Sequence, residues 1–159
     1  MLVTTSEGFK AEVIEQGAQS VQSICDKLNQ THFEGRLPGI TALAVSRFEH
    51  PHSERLNAIT FKAEELPKDA AFGNPWVIFI HERYCGLPEL AQLLLHEMTH
   101  ILMPDESPYH SAKFWTTLKE KWLLDFDLVL GVGLNGDEKP TGLVQELLAT
   151  TNLLRMLGL

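Results

Sequence analysis

The chain has 159 residues, of which 44% are hydrophobic, and carries a formal charge of −8 at pH 7. This size is typical of one compact domain that buries a core without disulfide support, and two cysteines are too few for a disulfide scaffold or a four-cysteine zinc site. Acidic residues outnumber basic ones by 21 to 13, which disfavours DNA or RNA binding through a basic patch. The sequence shows neither a signal peptide nor an apolar run of membrane-spanning length, so we expect a cytoplasmic protein without membrane contact.

The first half of the chain predicts one helix followed by three short strands. Apolar residues at three- and four-residue spacing predict an amphipathic helix over 10–31, ended by a turn rich in Gly and Pro. Segments rich in β-branched and apolar residues predict strands over 40–48, 57–63 and 76–80. The last of these is continuously apolar, which indicates that both of its faces are covered.

Two further helices are predicted in the second half. Pro88 suits the first position of a helix that runs to about Met103. A short loop bounded by prolines follows, and then a helix over 111–126. The order of elements predicts an α+β fold in which a small sheet of three to four strands packs against helices.

The C-terminal segment differs in composition from the rest of the chain. Residues 131–142 are Gly-rich and lack periodicity, whereas 143–159 predict a Leu-rich helix. We therefore expect a domain over 1–130 and an appendage over 131–159. The apolar surface of this last helix would pack on the domain, cover its cleft, or bind a partner protein or a second copy of the chain.

Polar residues interrupt the Leu-rich helix at His96, Glu97 and His100, which match the pattern H-E-x-x-H. Positions i and i+4 lie on one helix face, so both imidazoles can bind one ion at about 2.0–2.1 Å. Glu97 is rotated by about 100° from His96, which favours a role as general base beside metal-bound water. The alternative is a surface helix with two solvent-facing histidines, but the flanking leucines favour a buried helix.

A catalytic zinc site usually has three protein ligands and a water, and His110 is the nearest downstream candidate for the third. It follows the proline-bounded loop and precedes Phe114 and Trp115, whose packing would anchor it. Asp105 and Glu106 in the same loop are alternative oxygen ligands.

Other residues are candidates for contacts with a substrate. His81 ends the predicted strand over 76–80, and strand ends beside an active-site helix are suitable cleft positions. Tyr109 precedes His110, where its hydroxyl could stabilise an oxyanion. His50 and His52 lie in a polar loop, where a second metal site or a substrate contact is the alternative to ordinary exposure.

Three segments together resemble the SprT-like zincin metallopeptidases and their YgjP-like and WLM relatives. They are "LNQTHFEGRLPGITALAVSRF" (28–48) with its turn "FEGRLP", the strand "WVIFI" (76–80), and residues 93–115, which hold the motif "HEMTH" and the helix start "HSAKFW". The resemblance covers about residues 10–125 and implies the minimal zincin fold. It also implies one zinc ion per chain held by three histidines, and a metalloendopeptidase that hydrolyses peptides or proteins.

The resemblance assigns the ligands to His96, His100 and His110 and the catalytic base to Glu97. The chain lacks the zinc ribbon and the basic segments that many SprT-like proteins carry, which puts a protease of DNA-bound proteins in doubt. A non-catalytic zinc-binding interaction domain is the other alternative.

Overall fold

The computed structural model describes residues 1–14, 18–51, 57–70, 72–87, 89–107 and 110–123. Within these ranges the chain forms a five-stranded mixed sheet and three α-helices. The strands are β1 (Leu2–Thr4), β2 (Lys10–Ile14), β3 (Ile40–Glu49), β4 (Ala58–Lys62) and β5 (Trp76–His81). The helices are α1 (Ala18–His32), α2 (Glu89–Leu102) and α3 (Ala112–Leu123). The predicted α+β class is confirmed, whereas the linker and the Leu-rich helix over 131–159 lie outside the described residues.

The prediction for the start of the chain was wrong, because residues 10–14 form a strand and helix α1 begins only at Ala18. Ile14 continues the three- and four-residue spacing of Ala18 and Val21, which suggested a helix, but Ala11 and Val13 are buried while Lys10 is exposed, which is the alternation of a strand. Strand β2 pairs antiparallel with both β1 and β3. The sheet therefore has five strands where three to four were predicted, and β1 is too short to leave a periodic signal.

The strand order is β1-β2-β3-β5-β4, with β3 and β5 parallel to each other and the other neighbours antiparallel. Side chains alternate between faces along a strand. Strand β5 lies between β3 and β4 and contributes buried residues to both faces of the sheet. Ile78 and Ile80 pack into the cluster formed with the three helices, and Val77 and Phe79 pack into a second cluster. The prediction that this strand is covered on both faces is confirmed.

The face covered by helices, here called the helix face, holds the larger core. Helix α2 packs on β4 and β5 and also contacts α3 and α1, which itself packs on β3, so that most residues of α2 are buried. On its inner side Met98 lies 4.0 Å from the Cys25 thiol of α1, measured between the sulfur atoms. Burial raises the pKa of that thiol to about 12, so Cys25 behaves as a buried hydrophobe. Because α2 is buried, its polar residues also lie inside the domain.

The opposite face, here called the aromatic face, is filled by phenylalanines. Phe9 lies 4.7 Å from Phe61 and 5.6 Å from Phe79, measured between ring centroids, and Phe48 and Phe72 pack beside them.

None of the helices in the described ranges combines the length and apolar character needed to cross a membrane.

Candidate metal centre

Helix α2 presents His96 and His100 one turn apart on one face. Their ring centroids lie 5.0 Å apart. His96 is 3% exposed and His100 is partly buried. This face points toward α3, whose Phe114 ring stacks on the His100 ring at 4.3 Å. The helix thus directs two imidazoles into the space between α2 and the start of α3.

His110 enters the same space from the turn that precedes α3. Its Nε2 atom lies 3.1 Å from Nε2 of His100, and the candidate ligand atoms of His96, His100 and His110 all lie within 4.8 Å of one another. Tetrahedral zinc with bonds of about 2.0–2.1 Å places two donor nitrogens about 3.3 Å apart. This group, here called the histidine cluster, therefore fits a metal ion with small side-chain adjustments.

Local contacts at the start of α3 hold His110 in place. The Ser111 hydroxyl caps the helix by accepting a hydrogen bond from the Phe114 backbone N–H at 3.1 Å. The same hydroxyl donates to Oε1 of Glu106 at 2.8 Å. The Trp115 ring stacks on His110 at 5.5 Å. Aromatic packing around His110 follows the sequence-based expectation.

The two acidic candidates lie outside this group. The Glu106 carboxylate accepts the Ser111 hydroxyl, and Asp105 is exposed. The structure groups neither of them with the histidine cluster. Glu106 therefore contributes to the turn that carries His110, and the donor set consists of three imidazoles.

Glu97 follows His96 on α2 and is buried, with 3% of its surface exposed. Its Oε2 atom accepts a hydrogen bond of 2.6 Å from the hydroxyl of Thr60 on β4. Thr60 pairs with Ile78 in the sheet, and Ile78 belongs to the helix face, so Thr60 points toward α2. Sequence reasoning missed Thr60, because its contact with Glu97 depends on the register between two strands and on how α2 packs on them.

Helix α2 carries two other buried polar residues, Thr99 and Gln92. Thr99 donates to the Leu95 carbonyl at 2.7 Å, which is the bond back to its own helix turn that threonine commonly makes. Gln92 lies one turn before His96, is 2% exposed, and its Oε1 has no hydrogen-bond partner among the described residues. Gln92 is four residues before His96, and this spacing could have indicated from the sequence that the two side chains lie on the same face of α2.

His81 lies away from the histidine cluster. It alternates with Val77 and Phe79 and therefore points to the aromatic face, where its ring centroid lies 6.4 Å from that of Phe48. Its Nδ1 accepts a hydrogen bond from the Arg83 backbone N–H. Burial, followed by the charge of Arg83, lowers the pKa of His81. The structure thus does not bring this predicted substrate residue to the cluster.

Of the remaining candidates, one lies on the aromatic face and two lie outside the described residues. His50 packs against Phe9 with ring centroids 6.5 Å apart. Tyr109 and His52 lie outside the described residues. Neither His50 nor His81 contributes to the histidine cluster.

No family model, curated protein or solved structure matches this chain. The similarity to SprT-like zincins therefore stays a prediction from the sequence motifs. The geometry of the histidine cluster and Glu97 is the observation from which a function can be inferred.

Proposed function

We propose that the protein is a zinc-dependent metallopeptidase whose ion is held by His96, His100 and His110 and whose general base is Glu97. The observation that carries the proposal is the convergence of three imidazoles within 4.8 Å beside a buried glutamate. Catalytic zinc sites usually have three protein ligands and one open position, and the histidine cluster would supply three such ligands.

The chemistry of the donors supports zinc over harder cations. Imidazole nitrogen suits zinc and other transition metals, whereas magnesium and calcium prefer oxygen ligands. His96 is almost fully buried, so a neutral imidazole that binds a cation suits its position better than a charged one. A zinc ion bound here would supply a Lewis acid that polarises a peptide carbonyl and acidifies water.

Glu97 is placed to move protons. Glu97 follows His96 in α2 and is rotated by about 100° from it, so its carboxylate would not compete with the imidazoles for the ion. It would accept a proton from the attacking water and return it to the amide nitrogen that leaves. Burial of the carboxylate strengthens its electrostatic interactions with the reacting groups.

The sheet offers a place for an extended substrate. Among the described strands β4 pairs with β5 alone, so its other edge is an outer edge of the sheet. Thr60 on this strand contacts Glu97, which brings the strand next to the base. A peptide that added to β4 as a further strand would pass close to the carboxylate.

Glu97→Gln tests this proposal, because it keeps the shape of the side chain and removes its basicity. We expect zinc to remain at about one ion per chain, while hydrolysis of an unfolded protein such as reduced casein falls at least about 100-fold. Elemental analysis and a fluorescent-casein assay measure the two quantities. Glu120→Gln, on the exposed side of α3, is the matched control and should leave both unchanged.

Hydrolysis by Glu97→Gln at the wild-type rate would overturn the assignment of the base. A wild-type protein that binds zinc and cleaves no peptide bond would support the interaction-domain alternative.

A further inference from the structure

We infer that Thr60 is a positioning residue, whose hydroxyl sets the orientation of the Glu97 carboxylate and ties it to the outer strand of the sheet. The inference rests on the proposed function, because an oriented base has a consequence only where Glu97 transfers protons. It adds to that function a residue on β4, far from the H-E-x-x-H motif in the sequence.

The contact between the two residues is short and specific. The distance from Oγ1 of Thr60 to Oε2 of Glu97 is 2.6 Å, which is typical of a hydroxyl that donates to a charged carboxylate. Glu97 is nearly fully buried and Thr60 is partly buried. Removing the donor from a buried carboxylate is costly, because water does not readily replace it.

The hydrogen bond constrains the last torsion of the Glu97 side chain. The last torsion of a glutamate side chain is broad, so the plane of the carboxylate depends on its hydrogen-bond partners. By holding Oε2, Thr60 sets this plane relative to the histidine cluster. Proton transfer requires donor and acceptor within hydrogen-bond reach in a defined direction, and an error of about 1 Å can reduce a rate about 100-fold.

The anchor of this bond lies on the strand where the proposed substrate would add. Thr60 occupies the middle of β4, and its neighbours Ile59 and Phe61 are held by pairing with β5. The strand is therefore fixed on one side by the sheet and presents its other edge to a peptide. The same strand, β4, would therefore determine the position of both the base and the peptide.

Thr60→Val tests the inference, because valine keeps the branched shape and removes the hydroxyl. We expect kcat to fall about ten- to 100-fold, KM to change less than about twofold, and zinc content to stay at about one per chain. Thr60→Ser retains the donor and should restore most of kcat. Thr116→Val is the matched control, because this threonine of α3 is exposed and its hydroxyl donates to the Ala112 carbonyl of its own helix turn.

A second measurement needs neither substrate nor metal. A double-mutant cycle of Thr60→Val and Glu97→Ala on urea unfolding of the metal-free protein isolates the contact between the two side chains. We expect a coupling of about tenfold or more in the unfolding equilibrium constant, as for hydrogen bonds to charged groups. Thr60→Ala replaces the valine variant in both experiments if the latter does not fold.

The outcomes separate this inference from the proposed function. Additive effects in the cycle, or wild-type kcat in Thr60→Val while Glu97→Gln is inactive, would overturn the positioning role alone. Equal losses in Thr60→Val and Thr60→Ser would also contradict it, since the hydroxyl would then be irrelevant. Full activity of Glu97→Gln would instead remove the proposed function, and the cycle would still report the strength of the contact.

Discussion

On the helix face of the sheet, three imidazoles from α2 and the start of α3 converge within 4.8 Å, and Glu97, the residue after His96, is buried. On the aromatic face, His50 and His81 each pack against a phenylalanine. Both faces carry histidines, but those of the histidine cluster lie next to other histidines, whereas those on the aromatic face lie next to phenylalanines. Two helix segments can direct several side chains to one point, whereas alternate residues of a strand spread theirs along a surface. A metal centre is therefore expected on the helix face.

The largest expected effect is the loss of stability when a packed phenylalanine is replaced by alanine on either face of the sheet. Phe114 is fully buried against the histidine cluster, so Phe114→Ala should lower the free energy of unfolding by about 3–5 kcal/mol. Phe48→Ala, at a partly buried position on the aromatic face, should cost clearly less. Urea unfolding of the metal-free variants measures both values, and equal losses would show that the two faces contribute alike.

The second effect separates the histidines of the two faces. His100→Ala removes one of three donors and should weaken zinc binding at least about 100-fold, because loss of even a supporting partner of a ligand costs about 10–100-fold. His81→Ala should leave the affinity within about twofold, since His81 points to the aromatic face. Competition with a chromophoric zinc chelator gives the two constants, and similar losses would contradict the distinction.

The smallest effect refines how the helix face is assembled. Ser111→Ala removes both the cap of α3 and the hydrogen bond to Glu106, and should cost about 1 kcal/mol of stability. Zinc affinity should fall by less than for His100→Ala, because His110 keeps its stacking on Trp115. Thermal unfolding with and without zinc measures both. Unchanged zinc affinity would show that aromatic packing alone holds His110.

Several features of the centre could be predicted from local sequence. The spacing of His96 and His100 and the apolar residues around them predict a buried helix with two ligands on one face. The aromatic pair Phe114 and Trp115 marks the helix start that anchors the third imidazole. These signals span a few residues each, and helical periodicity converts them directly into geometry.

Other features depend on long-range pairing and could not be predicted. Residues 10–14 are too short a segment for their alternation to be distinguished from the helical spacing that follows, and pairing with β1 and β3 makes them a strand. The contact of Thr60 with Glu97 joins positions 37 residues apart, and His81 points to the aromatic face because of the same sheet geometry. Strand register and packing across the sheet decide such contacts.

X-ray absorption spectroscopy at the zinc edge tests the central claim most directly. The protein purified with zinc should bind about one ion per chain, with three imidazole nitrogens and one oxygen ligand at about 2.0–2.1 Å. The imidazole scattering should decrease in His110→Ala. Failure to bind zinc stoichiometrically, or sulfur scattering at about 2.3 Å, would contradict a centre built from His96, His100 and His110.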